Sequence, residues 1–453
     1  MDWFRHINRY LVFPLYYWKN GDKRLERLEE LEINQFLSVD AMEKLQLSRL
    51  QRIIKIAFNE TDYYRQIMSE RKITPDDIQT LQDVQQLPIL TKKDIQDNLD
   101  AMISKKYTKS ELFKDMSGGS TGTPTVYYKN IERHNLRRAD QIRHDRWSGW
   151  DIGKRKALIW GAQRDLKAVQ SFREHIIARY IERTWELDAF EMSPDKMLQF
   201  TGQLEKIKPS MVLGYANALV AYAEYLNEHN ANHKIRLDGI ISSAESLTEE
   251  KRAIIEKAFR CKVLNRYGSR EVGLIASECK HQEGLHINAD NILLEITNGE
   301  KQVANGQLGE IAVTDYWNFG MPLIRYQLGD MGIKSDSKCS CGRSLPLLAS
   351  VEGRVSDFFV AQNGTKVHGE YFTHLFYDIP EVKQFQMIQE TLEEVTVNIV
   401  PTQINDKLDS VVKMVEEKTK EMLGKETKLT FKYLESIPST SSGKFLFTIS
   451  KVS

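Results

Sequence analysis

The sequence predicts an α/β protein: a large N-terminal body of layered α/β structure with a β-rich subdomain, joined to a small C-terminal α+β unit. Three observations lead there. From about residue 115 short apolar runs alternate with longer helical patterns; between Asn291 and Tyr326 the pattern becomes β-rich; and the last stretch of the chain mixes strand-like and helical segments. A chain of 453 residues allows two or three packed units at roughly 150 residues each.

Taken in order, the opening stretch from Trp3 to Trp18 sets Phe4, Tyr10, Phe13, Tyr16 and Tyr17 among basic residues. A helix or arm packed on the main body is expected, with shallow peripheral membrane contact as the other use of such a stripe. Residues 20–100 read as largely helical, because Leu47, Leu50, Ile54 and Phe58 recur at helical spacing between charged flanks, and Leu87-Pro88 interrupts the pattern. The runs Lys156–Trp160, Met211–Leu213 and Asp238–Ile241 are predicted strands. Ile292–Ile296 and Glu310–Thr314 flank a turn segment with Asn305-Gly306 and predict an antiparallel hairpin. Further on, strands are expected at Gln384–Ile388, Val395–Ile399 and Leu429–Tyr433, with a charged helix from about Asp406 to Met422.

Composition narrows the function. Hydrophobic residues at 41% and charged residues at 28% are ordinary for a globular protein. Lys+Arg and Asp+Glu balance at 63 each, so no basic field recruits nucleic acid. Four cysteines in so long a chain make no disulfide framework, which points to a reducing, cytoplasmic setting. No apolar run approaches the roughly 20 residues that span a bilayer, and no signal-peptide pattern opens the chain, so an integral or secreted protein is not expected. Oligomeric state is not legible.

The strongest local signal is Ser117-Gly118-Gly119-Ser120-Thr121-Gly122-Thr123-Pro124, followed by strand-like Thr125–Tyr128. Its glycines permit close backbone approach to an anion, and its hydroxyls and N–H groups suit nucleotide phosphates. The loop lacks the Gly-Lys-Ser/Thr ending of a Walker loop and no Gly-x-Gly-x-x-Gly accompanies it, which disfavours kinase, GTPase and dinucleotide readings. A flexible Gly/Ser linker is the structural alternative.

This loop resembles the phosphate loop of the adenylate-forming enzymes, the superfamily of acyl-CoA synthetases, nonribosomal adenylation domains and luciferases. Other motifs of that superfamily follow in order. Asn265-Arg266-Tyr267-Gly268-Ser269-Arg270-Glu271 resembles the adenine and magnesium motif, and Ile324-Arg325-Tyr326-Gln327-Leu328-Gly329-Asp330 the ribose motif. Gly353-Arg354-Val355-Ser356-Asp357 resembles the hinge and Thr440-Ser441-Ser442-Gly443-Lys444 the C-terminal lysine motif. Thr61–Tyr64, Leu87–Lys92, Lys208-Pro209 with Leu213–Tyr215, and Gly284–His286 are similar to segments of phenylacetate-CoA ligases and their capsule-biosynthesis relatives. Thr125 follows Pro124 where many adenylating enzymes carry Lys, as in the phenylacetate branch.

The resemblance implies an N-terminal ATP- and acid-binding domain at residues 1–353 and a mobile C-terminal lid at 354–453, pivoting at Ser356 and Asp357. It implies that Ser117 to Thr123 hold phosphates, that Tyr267 and Gly268 lie near adenine, that Asp330 takes the ribose hydroxyls and that Arg325 also binds ATP. Glu271 would support Mg²⁺, Arg354 would contact the nucleotide, and Lys444 would stabilise the transition state. Glu245 and Tyr215 would line the acid pocket. The implied reaction is ATP-dependent formation of an acyl-AMP with release of pyrophosphate, then transfer to coenzyme A. Transfer to a sugar or amine in polysaccharide decoration is the alternative, and a non-catalytic nucleotide-binding scaffold is a reading from another class. Which acid is activated is not legible.

A last cluster stands apart from these motifs. Cys279 and His286, with Cys339-Ser340-Cys341, place thiolates and an imidazole at short intervals on two segments, a donor set suited to a structural Zn²⁺, with His281 as the alternative ligand. The alternative is unlinked thiols; Cys261 is expected in the core.

Overall fold

The apolar runs of the middle of the chain lie side by side as parallel strands. Thr184–Asp188, Lys156–Trp160, Met211–Tyr215, Gly239–Ser243 and Val263–Ser269 pair in that order. The central strands Met211–Tyr215 and Gly239–Ser243 are buried along most of their length, in keeping with cover on both faces. Gly239 is required by close packing here: a Cβ on it would lie 2.5 Å from the carbonyl oxygen of Ser148.

In the computed structural model, which describes residues 2–117, 125–161, 172–189, 192–231, 235–352, 358–376, 379–437 and 447–452, these five strands belong to one twelve-stranded sheet. After Val263–Ser269 the sheet turns antiparallel through Gly273–Glu278 and Leu285–Ile287. It continues through Leu347–Glu352, Tyr326–Ser335, Leu308–Asp315, Ile292–Asn298 and Lys301–Gln302. The expected hairpin is present, with Leu294 opposite Val313, but its tight reversal is at Gly299 and Glu300, where Lys301–Gln302 turns back on Ile292–Asn298. Asn305-Gly306 sits in the longer return to Leu308. One join inside the antiparallel part is narrow: Leu285–Ile287 meets Leu347–Glu352 through the pairs Leu347–His286 and Leu348–Leu285.

Helices Arg24–Asn34, Val39–Glu60, Asp62–Glu70 and Lys92–Met102 make the largely helical N-terminal region. Ser38 and Thr61 cap the second and third of these, and Thr91 and Asp94 form a capping box on the fourth. Helix Ile131–Trp147 carries charge into the interior. Its Arg133 meets Asp315 at 2.5 Å, Arg143 meets Asp290 at 2.7 Å and Asp145 meets Arg266 at 2.7 Å, so each buried charge is paired. The opening segment is helical from Phe4 to Lys19. Phe13 and Tyr17 pack inward, whereas Trp3, Ile7, Tyr10, Leu11, Leu15 and Trp18 are exposed. Among the described residues no helix is long and apolar enough to cross a membrane.

C-terminal strands Val382–Gln389, Glu394–Pro401, Lys428–Tyr433 and Thr448–Ser450 form a separate four-stranded sheet, with helix Asp406–Leu423 between its second and third strands in sequence. Two apolar cores result. One joins the N-terminal helices to the antiparallel half; the other runs from the helices of the parallel half, such as Ala216–Glu228, to Phe359, Phe372 and Phe385 of the C-terminal part. The expected boundary at residues 353 and 354 lies outside the described residues.

Candidate active site

Phe113–Ser117 and Thr125–Lys129 form an antiparallel ribbon whose register ends at Ser117 opposite Thr125. Gly118 to Pro124, the remainder of the glycine-rich motif, therefore joins the two strand ends; those residues lie outside the described residues, as do Arg354, Ser356, Asp357 and Lys444. The base of the ribbon is firmly held. Lys129 Nζ donates to the Arg270 carbonyl at 2.6 Å and lies 3.3 Å from the Asp115 carboxylate, and Gln96 donates to Thr125 Oγ1 at 3.2 Å. Burial, reinforced by Arg137 nearby, brings the Lys129 ammonium down to about 8. Sequence reasoning passed over Lys129 because a strand-end lysine reads as solvated. The signal was its alternation with Tyr127, which puts both side chains on one buried face.

Tyr215, Ser243 and Tyr267 stand at or near the carboxyl ends of successive parallel strands, where ligands gather in open α/β sheets. Two motifs distant in sequence meet at this edge. Tyr267 donates its hydroxyl to Asp330 Oδ2 at 2.8 Å, and Tyr326 donates to Glu271 Oε1 at 3.1 Å in a buried position. Glu271 is thus an oriented hard oxygen donor of the kind Mg²⁺ prefers. A Cβ on Gly268 would lie 2.6 Å from the Gly273 carbonyl, so this glycine also closes the hairpin that carries Glu271.

Three predicted residues have their contacts within the fold defined. Arg325 is not at the nucleotide edge. It is fully buried, with φ +53°, and its guanidinium pairs with Glu295 at 3.1 and 3.2 Å and donates to the carbonyls of Leu87 at 2.6 Å and Glu300 at 2.7 Å. Those bonds engage the fork and tie the N-terminal region to the sheet. Glu245 accepts from the Asn217 backbone N–H at 2.7 Å and from Asn217 Nδ2 at 3.2 Å, which anchors it to the start of helix Ala216–Glu228. Tyr215 is buried with its ring 4.2 Å from that of Trp160.

Away from this edge, Cys279, His286, Cys339 and Cys341 come together, their ligand atoms all within 4.8 Å of one another. Cys279 Sγ lies 3.6 Å from Cys339 Sγ, and Cys341 Sγ lies 3.4 Å from His286 Nε2. His281 is not part of the group: it is exposed, with Nδ1 2.7 Å from Ser340 Oγ.

Comparison with known proteins agrees with this architecture. Residues 359–451 match the family model described as the CapK C-terminal domain. The chain is 26% identical to "Protein CapK" of Staphylococcus aureus over 93% of this chain and 92% of that protein. It is 25% identical to the phenylacetate-coenzyme A ligase of Pseudomonas putida over 78% and 79%, and 22% identical to that of Thermus thermophilus over 80% and 81%. Among solved structures, 2-hydroxyisobutyryl-CoA ligase with 2-HIB-AMP and CoA in the thioesterification state superposes with a TM-score of 0.65 at 19% identity, covering 92% of this chain and 91% of that one. The open form of the same ligase gives 0.60 at 18%, covering 92% and 93%.

Proposed function

From the place of this chain among the adenylate-forming ligases, as a relative of CapK and of the phenylacetate-CoA ligases, we propose that it activates a carboxylic acid with ATP and passes the acyl group to coenzyme A. In the first step a carboxylate oxygen attacks the α-phosphorus, the bond to the β-phosphate breaks and pyrophosphate leaves. In the second, the thiol sulfur attacks the acyl carbonyl and AMP departs.

The observation that carries this reading is the meeting of Tyr267 with Asp330 at 2.8 Å, since it joins two motifs into one edge of a nucleotide site. Asp330 has two carboxylate oxygens to accept both ribose hydroxyls, and Tyr267 fixes its rotamer. Ser117, Ser120 and Thr121, with the backbone of the glycine loop, take the phosphates. Glu271 holds Mg²⁺, which when bound offsets the repulsion between the attacking carboxylate and the triphosphate. Arg354 contacts the nucleotide, and Lys444 supplies positive charge as the pentavalent phosphorus forms. Residues 354–453 act as a lid that turns about Ser356 and Asp357 between the two steps. A sugar or amine acceptor is the second reading, favoured by the match of residues 359–451 to the CapK C-terminal domain, since this part would shape the acceptor side.

We also propose a cytoplasmic protein whose N-terminal segment makes peripheral contact with an anionic membrane. Exposed Trp3, Ile7, Tyr10, Leu11 and Trp18 recur at helical spacing, with Arg5, Lys19 and Lys23 close by in sequence to meet lipid phosphates.

The decisive assay is pyrophosphate release from ATP and Mg²⁺ across aryl, fatty, amino and uronic acids, with and without coenzyme A, for wild type and Lys444→Ala. Acid-dependent release that disappears in the variant is expected. Nucleotide binding without release from any acid would overturn the catalytic reading in favour of a scaffold.

A further inference from the structure

The cysteine and histidine cluster has no part in the chemistry above. Its geometry is specific nonetheless. A tetrahedral zinc with Zn–S near 2.3 Å and Zn–N near 2.0–2.1 Å sets sulfur atoms about 3.8 Å apart and sulfur about 3.5 Å from nitrogen. The separations of 3.6 Å for Cys279 and Cys339 and 3.4 Å for Cys341 and His286 fall close to both values. A disulfide needs sulfur atoms about 2.05 Å apart, so all four cysteines are free thiols.

We propose that Cys279, His286, Cys339 and Cys341 bind one structural zinc ion, with three thiolates and His286 Nε2 filling all four positions. A filled shell leaves no place for water or substrate, which separates this site from a catalytic zinc. Binding releases the thiol protons to solvent and leaves one net negative charge on the cluster. Arg343, two residues beyond Cys341, lies beside that thiol and offsets it.

The position of the cluster explains what the ion does. His286 belongs to one of the two residue pairs through which Leu285–Ile287 meets Leu347–Glu352, and Cys279 follows the strand Gly273–Glu278 on one side of that join. Cys339 and Cys341 lie on the segment entering Leu347–Glu352 on the other side. The ion therefore staples a join made of only two residue pairs. The next residues reach the N-terminal helices: Arg343 Nε donates to Gln35 Oε1 at 2.8 Å, and the Ser344 N–H donates to the Gln35 carbonyl at 3.0 Å. Tyr267 and Asp330 sit on opposite sides of the join, so loss of zinc also loosens the proposed nucleotide edge.

The test begins with the full chain purified under reducing conditions after growth with zinc. Elemental analysis is expected to find one zinc per chain in wild type and essentially none in Cys339→Ser/Cys341→Ser. Should that variant fail to fold, wild type stripped by chelator and titrated with Co²⁺ alone decides the matter. The cobalt protein is expected to show thiolate charge-transfer absorption and the visible bands of a tetrahedral site, and zinc is expected to displace it. Thiol labelling of folded protein should reach at most Cys261 with zinc bound and all four cysteines after chelation. Metal-free protein that gives no cobalt spectrum, or whose labelling is the same with and without zinc, would overturn the site without bearing on adenylation. A failure of acid-dependent pyrophosphate release would, conversely, leave the zinc result untouched.

Discussion

Replacing Arg325 with Met tests whether this residue serves the fold or the nucleotide. Arg325 is 0% and Glu295 1% exposed, and the guanidinium is the partner of both carboxylate oxygens. Met keeps most of the apolar stem but leaves Glu295 buried without its counter-charge. Breaking a buried pair from one side costs about 3–5 kcal/mol. The carbonyls of Leu87 and Glu300 lose donors as well, in the same network, so their costs do not simply add. With a urea slope near the upper end of the usual 1–3 kcal/mol/M for a chain of this size, the midpoint should fall by about 1–2 M. Burial already pushes the Glu295 carboxyl up, with Arg325 opposing the shift. Without Arg325 it rises further, so the folded variant binds more protons than its unfolded chain at mildly acidic pH. The deficit should therefore be full at neutral pH and shrink as pH falls through the Glu295 titration. Glu295→Leu/Arg325→Met, which removes both charges, should recover most of the loss and bind ATP within about threefold of wild type, under 1 kcal/mol. A single variant of unchanged midpoint that binds ATP tenfold more weakly would refute the structural assignment and return Arg325 to the nucleotide site.

Two further outcomes follow from the geometry. Asp330→Ala should raise the KM for ATP by about 100-fold or more, from two lost charge-assisted bonds at about 1.5–3 kcal/mol each; Tyr267→Phe should raise it only about fivefold, as the loss of one positioning bond. Equal effects of the two substitutions would contradict this division of roles. Trp3→Ala/Leu11→Ala/Trp18→Ala should abolish sedimentation with anionic vesicles while leaving the thermal transition in place, and undiminished sedimentation would remove the proposed membrane face.

What could be read from sequence depended on how local the cause was. The parallel strands at Met211–Tyr215 and Gly239–Ser243 were legible because burial on both faces writes itself into consecutive apolar residues. The pairing of Leu294 with Val313 was legible from two β-rich runs, whereas the site of reversal was not, since Gly299-Glu300 and Asn305-Gly306 both offer turn chemistry and only the third short strand decides between them. Arg325 misled for a different reason. It lies in a motif that points to a nucleotide, and its partner Glu295 is on another strand, which nothing in the local sequence announces. Glu245 likewise depends on the helix start at Asn217, an element 28 residues earlier. In the cysteine cluster, donor types and spacing were enough to name both histidines, but only folding shows His286 turned toward Cys341 and His281 toward Ser340.

The way the N-terminal helices are held bears on the order in which the chain can assemble. Tyr64 hydroxyl bonds the Pro322 carbonyl across 258 residues, Leu87 waits 238 residues for Arg325, and Gln35 waits 308 for Arg343. During synthesis the first hundred residues thus emerge long before the surface they cover. Loop closure over such spans is slow, and exposed apolar helix faces invite aggregation in the interval. Chaperone dependence and a late, concerted burial of this region are the expected result, and removing the N-terminal helices would deprive the antiparallel half of one wall of its core rather than trim an appendage.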